Sequence, residues 1–172
     1  ALTMRHLLTT LAVTTCLFTI PPTITLANGA GVILFGGITK DNQLSYRLDF
    51  DGQRNGWDRY RLRIPRSKMK ADVVKFIITY PRYYKGKFEP KKIEVRVKEE
   101  KVSLLKVDWN KKDHAIYIHP KEPIPSGNSV ELVFSDVQNP SFGGMFNFNC
   151  MIFIPSDAIQ PHYLGTWQID IN

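Results

Sequence analysis

From Gly29 onward, apolar and polar residues alternate with period two in almost every segment, and no long stretch repeats apolar residues near every 3.6 positions. Alternation puts successive side chains on opposite faces of an extended strand, so a chain written this way folds into sheets that turn one face to a core. Residues 32–35, 44–50 and 57–64 are the first such runs, with Asp51-Gly52 and Asn55-Gly56 supplying turn chemistry between the last two. In that pair Tyr46, Leu48 and Phe50 share one face and Tyr60, Leu62 and Ile64 another, and both sets are expected to point inward. Residues 66–72 are the only plausible helix, a turn or two long.

Further strands are expected at 73–80, 93–98, 102–109, 114–119, 130–134, 145–154 and 163–171, bounded by Asn110, Asp113, Pro120, the Pro123-to-Gly127 stretch, Asn139-Pro140-Ser141 and Gly143-Gly144. The expected fold is all-β: an antiparallel β-sandwich, Ig-like in general architecture, of about nine short strands with at most one short helix. No repeat, low-complexity block or linker divides residues 28–172, which read as one domain.

The first 27 residues read differently. Arg5 and His6 follow Met4, an apolar run covers 7–20, and a Pro21-Pro22 break leads to Thr25-Leu26-Ala27. That order is a cleavable secretory leader with the cut before Asn28, and the run is too short and threonine-rich for a membrane anchor. Thr15 before Cys16 does not fit a lipoprotein signal. Cleavage removes Cys16 and leaves Cys150 alone, which rules out an internal disulfide and leaves the fold dependent on its core. Of 23 Lys and Arg only Arg5 precedes the cut, and none of the 16 Asp and Glu do, so the remaining chain keeps a surplus of six positive charges. A basic surface favours anionic partners, an envelope component or an acidic protein. Export to the periplasm, a thylakoid lumen or the medium disfavours nucleic acid, and no transmembrane segment is expected after the leader.

Four segments also carry a resemblance: RYRLRIP, VVKFIITYP, PIPSGNSVELVFSDVQNP and PHYLGTWQIDI. With Pro125-Ser126-Gly127, Asn139-Pro140 and Tyr163-Leu164-Gly165, the chain from residue 35 to the end resembles a family of exported cyanobacterial proteins, the domain of unknown function numbered twenty-eight hundred and eight. The resemblance implies a secreted or periplasmic setting. It brings no activity and no catalytic residues.

Enzyme signatures are weak. His114 and His119 are five apart in an expected strand and point to opposite faces, and neither a zinc nor a copper ligand pattern is present. Cys150 alternates with Phe146, Phe148 and Ile152 on an inward face, which suits a small buried hydrophobe better than a nucleophile for His162. Asp108, Asp113, Glu131 and Asp136 sit at turns or outward positions and read as charged rims, and the paired glycines lack the context of a phosphate loop. No cofactor or metal is expected.

Two basic features are the candidate binding sites. Arg59, Arg61 and Arg63 fall on one strand face, about 7 Å apart. They are suited to an acidic polymer, or else form a solvated face neutralised by cross-strand acids such as Asp49. In the segment 80–92, Arg82, Tyr83, Tyr84, Lys85 and Lys87 interleave aromatics with cations, which suits sugar rings or a headgroup layer. The other reading has Tyr80 and Phe88 tucked beneath the loop while the lysines keep an edge soluble. The function expected is a non-enzymatic binding or structural module for an anionic macromolecule or surface. The alternative is an extracytoplasmic hydrolase or metal-handling protein whose site is assembled from distant loops.

Overall fold

The computed structural model describes residues 37–172 and, as backbone alone, Ile24–Leu26 and Val32–Leu34. Those two short strands, β1 and β2, pair antiparallel with Ile24 opposite Leu34. The rest of the expected leader, its cut before Asn28 and Phe35 lie outside the described residues.

Ten strands follow, against about nine expected. They are β3 (Tyr46–Leu48), β4 (Trp57–Ile64), β5 (Lys75–Thr79), β6 (Ile93–Val97), β7 (Glu100–Lys101), β8 (Leu104–Asn110), β9 (Ala115–Pro120), β10 (Val130–Gln138), β11 (Gly144–Ile154) and β12 (Asp157–Ile171). They form two antiparallel five-stranded sheets, ordered β3-β4-β10-β6-β7 and β12-β11-β5-β9-β8. One core cluster joins both sheets, the architecture the alternation predicts. Tyr60, Leu62 and Ile64 of β4 and Leu132 and Phe134 of β10 meet Phe76 and Ile78 of β5, Phe148 and Cys150 of β11, and Trp167 and Ile169 of β12, all fully buried. The indole N–H of Trp167 donates to the carbonyl of Arg63 at 3.0 Å, tying the second sheet to β4 of the first.

Turn chemistry explains the connections. Lys98 and Glu99 both have positive φ and close a two-residue hairpin between β6 and β7, while Pro155-Ser156 closes β11 to β12. The Asp58 carboxylate, itself buried, accepts backbone N–H groups of Phe50 (3.0 Å), Gly52 (2.8 Å) and Arg59 (2.7 Å), which fixes the 49–56 connection. Gly52 has φ +64°, and a Cβ there would come within 2.9 Å of the Asp170 carbonyl.

Several boundaries differ from expectation. The expected 66–72 helix is a single 3₁₀ turn, Arg66–Lys68; a second one, Pro90–Lys92, leads into β6. β10 runs on past Phe134 because a bulge at Ser135 and Asp136 (φ 55°) resets the alternation, so Phe134 and Val137 both point inward. Phe50 leaves the inward row, because β3 ends at Leu48 and the chain has already turned. No helix among the described residues is long and apolar enough to cross a membrane, a statement that does not bear on β-barrels.

Candidate functional site

The outward face of the β3-β4-β10-β6-β7 sheet is built from cross-strand rows. Arg47 lies opposite Arg61, which lies opposite Val133, which lies opposite Glu94. The next row runs Arg63, Glu131, Arg96, Lys101. Like charges facing each other would repel, but carboxylates sit between them. Asp49 takes Arg61 at 2.9 Å, Arg47 at 2.9 Å and Arg59 at 3.6 Å; Glu131 takes Arg61 at 3.1 Å and Arg63 at 3.2 Å. Four guanidinium groups therefore share two carboxylates, and the network keeps a positive excess.

Burial alone would raise the Asp49 carboxyl, but hydrogen bonds from Arg61 and Arg47 outweigh it and hold the group below its usual range. Hydrogen bonds from Lys101 and Arg96 do the same for Glu94. Val133 lies almost fully buried on this outward side, packed within the rows of charged side chains. At one end of the face Arg47, Arg61, Arg63, Arg96 and Lys98 line an open groove of about 690 Å³, in which Glu99 and Glu131 are the acids.

Trp57 continues the outward row of Arg59, Arg61 and Arg63 toward the other end and is 64% exposed. Its strand partner Gln138 bridges to Lys87, and Trp57, Lys87, Lys91 and Lys92 line a second open cleft together with Glu89 and Asp136. The first candidate feature thus meets part of the second: Lys87 joins the arginine face through Trp57. Sequence reasoning missed Trp57, although it shares the parity of the three arginines. It also missed Arg47, on the neighbouring strand of the expected hairpin, and Arg96 and Lys98, which reach this face only because β10 pairs with both β4 and β6.

The remaining loop positions divide. Arg82, Tyr83 and Lys85 are exposed. Tyr84 is not a surface group: it is 2% exposed, its hydroxyl pairs with that of Tyr60 at 3.0 Å, and its ring stacks on Phe88 and meets Phe148 edge-on. Expectation is corrected here by packing. Tyr80, Tyr84 and Phe88 recur every four residues and all fold inward to close one end of the core, and Tyr80 accepts the Trp109 indole N–H at 2.7 Å. Gly86 makes this possible, since a Cβ there would fall within 2.7 Å of Tyr84 Cε1. Burial pushes the phenols of both Tyr60 and Tyr84 well up.

The other candidates are spread out. Cys150 is fully buried and its thiol is pushed far up by burial, so it is no nucleophile. His114 sits in the turn before β9 with φ 51°, not in the strand; His119 lies beside Asp108 (3.8 Å), and His162 pairs with Asp157 (3.2 Å). Burial, with Lys106 and Lys75 nearby, lowers the His119 pKa. Among the described residues no group of three or more His, Cys, Asp or Glu is placed to hold a metal ion.

The family described as "Protein of unknown function (DUF2808)" matches residues 32–171. The chain belongs to that family. No curated protein matches it in sequence. In fold it is similar to an uncharacterized protein from Nocardia farcinica with an immunoglobulin-like fold, at 13% identity over 75% of this chain and 97% of that one, TM-score 0.47. It is also similar to BslA, a bacterial hydrophobin (11% identity, 76% and 97% covered, TM-score 0.49), and to the collagen-binding domain of a Staphylococcus aureus adhesin (9%, 75% and 96%, TM-score 0.42). The sandwich assignment itself stands on the strand pairings above.

Proposed function

We propose that this DUF2808 member is an exported, non-enzymatic binding module that holds an acidic polymer along the outward face of its β3-β4-β10-β6-β7 sheet. In this reading residues 1–27 are a leader with its upstream residues, and 28–172 are one working domain. The partner chemistry is an envelope polysaccharide bearing carboxylates or sulfates. The observation that carries the reading is one surface track. The groove of Arg47, Arg61, Arg63, Arg96 and Lys98 lies at one end, and Trp57 with Lys87, Lys91 and Lys92 lies at the other. Arg63 and Trp57 stand on the same face of the same strand, about 20 Å apart.

Each part suits such a ligand. Guanidinium groups present paired N–H donors that match a carboxylate or sulfate edge. Arg63 is half-exposed and held by a single carboxylate, so it has donors to spare. Trp57 offers an exposed amphipathic ring on which a sugar can stack. Asp49 and Glu131 fix the guanidinium directions in advance, which lowers the ordering cost of binding. Arg82 and Lys85 add longer-range attraction from the neighbouring loop.

The test is retention on an immobilised acidic polysaccharide, with a neutral dextran as control and a rising salt gradient. The chain binds the acidic polymer at low salt, elutes as salt rises and passes the neutral one. Arg63→Ala with Arg96→Ala weakens binding about tenfold, and Trp57→Ala weakens it without changing the salt dependence. Unchanged retention of both variants would remove this face from the account.

A further inference from the structure

A second surface lies at one end of the sandwich and shares no residue with the groove. Phe142 is 78% exposed, Tyr83 63%, Phe50 58% and Met145 56%. They come from the β10–β11, β5–β6 and β3–β4 connections and, for Met145, the second residue of β11, which the antiparallel topology gathers at the same end. Apolar groups this exposed cost solubility unless something receives them.

These side chains stand on a rigid platform. The Asn55 N–H donates to the Pro140 carbonyl (3.1 Å) and the Asn139 N–H to the Gly56 carbonyl (2.8 Å), while Lys87 and Gln138 exchange both backbone bonds at 2.9 Å. The Asn139 amide reaches the Gln53 carbonyl at 2.9 Å, and the Tyr83 ring leans on buried Phe146 at 5.6 Å. Exposed cations alternate with the apolar groups: Arg54, Arg82 and Lys85, with Lys111 and Lys112 on the adjoining β8–β9 turn. Among the described residues the exposed carboxylates at this end are Asp51, Glu89, Asp136 and Asp170, with Glu89 and Asp136 set among Lys87, Lys91 and Lys92, while Asp113 is engaged by the Asn110 amide at 2.6 Å.

We propose that this end docks on an anionic lipid surface, with Phe50, Tyr83, Phe142 and Met145 entering the boundary between headgroups and acyl chains and Arg54, Arg82 and Lys85 meeting lipid phosphates. Aromatic rings favour that boundary, and one apolar signal plus one basic signal together hold a protein there where either alone is weak. The charge sign selects anionic lipid. The groups crown a set of loop tips instead of lining a pocket, which fits a soft planar surface better than a folded partner. Arg82 and Lys85 also add to the field around the polymer track, but the apolar anchors Phe50, Tyr83, Phe142 and Met145 lie outside it, so the Phe50/Phe142 and Arg63/Arg96 variants tell the two sites apart.

The experiment is co-sedimentation of the purified chain with phosphatidylglycerol-containing vesicles and with pure phosphatidylcholine vesicles. Binding is expected to the first and not the second, at least about tenfold weaker for Phe50→Ala with Phe142→Ala, and unchanged for Arg63→Ala with Arg96→Ala. A Phe142→Trp reporter in a Trp57→Phe background should shift to the blue and be quenched by brominated acyl chains. Absence of vesicle binding, or equal binding by the Phe50/Phe142 variant, would overturn the proposal. So would a dimer that Phe142→Ala abolishes in a chain that ignores vesicles, because a second copy would then be the occupant.

Discussion

The outward faces of the two sheets follow the same backbone rule and end in opposite states. On the β4 side the outward residues are Trp57, Arg59, Arg61 and Arg63, held by Asp49 and Glu131. On the β5–β11 side the outward residues Ile77, Met151 and Phe153 are buried with Ala115, and Val74, Tyr117 and Tyr163 pack against them. Lys75 there lies over the Phe153 ring at 4.0 Å instead of seeking a carboxylate. The difference is written locally. Strict alternation, as in WDRYRLRI, marks a strand with one wet face, whereas continuous apolar runs such as FIIT and CMIFI mark strands apolar on both. One face is therefore a charged surface available to partners, and the other belongs to the structure.

That contrast is breakable. The largest effect is expected from Met151→Ala, which empties a fully buried site on the apolar side and should cost about 3 kcal/mol in urea unfolding. A cost near zero would mean that this face is not packed. Arg61→Ala on the charged side should cost less, about 1 kcal/mol, since it strips Asp49 and Glu131 of their shared partner in a half-wet setting. A loss larger than that of Met151→Ala would reverse the comparison.

Acid should act on the charged face. The folded Asp49 pKa is depressed, so its contribution is present above the unfolded carboxylate value of about 4 and is lost as pH falls through the folded one. Thermal melts from pH 6 down to about pH 3 should therefore show a shallower decline for Asp49→Asn than for the parent chain. Parallel declines would mean that Asp49 gains nothing from its arginines. Smallest of all, Trp57→Ala should change stability by no more than about 0.5 kcal/mol while weakening polymer binding.

Much of the fold was legible because alternation is a local signal. It placed β4, β5, β6, β9 and β11 within about two residues and turned Tyr60, Leu62, Ile64 and Cys150 inward. It failed where the period breaks. The bulge at Ser135-Asp136 hid the second half of β10, and the 157–162 stretch carries Pro161 and no alternation, so the start of β12 was lost. Tyr84 was misplaced because its burial depends on a loop folding back over Gly86, a contact set by a missing Cβ and not by strand parity. The arginine row was visible on β4, but its partners were not. Arg47, Arg96 and Glu131 stand 14, 35 and 70 residues from Arg61 in sequence, and the order β3-β4-β10-β6 brings them to one face.

Mapping the contact of an acidic polymer on the β3-β4-β10-β6-β7 face by NMR tests the proposed function most directly. On titration with an acidic oligosaccharide, the Nε–H signals of Arg61, Arg63 and Arg96 and the Trp57 indole should shift together, and the buried indole of Trp167 should stay largely still. Shifts centred on Tyr117 and Tyr163 of the opposite sheet, or none at concentrations where the ligand saturates an unrelated basic protein, would contradict the account.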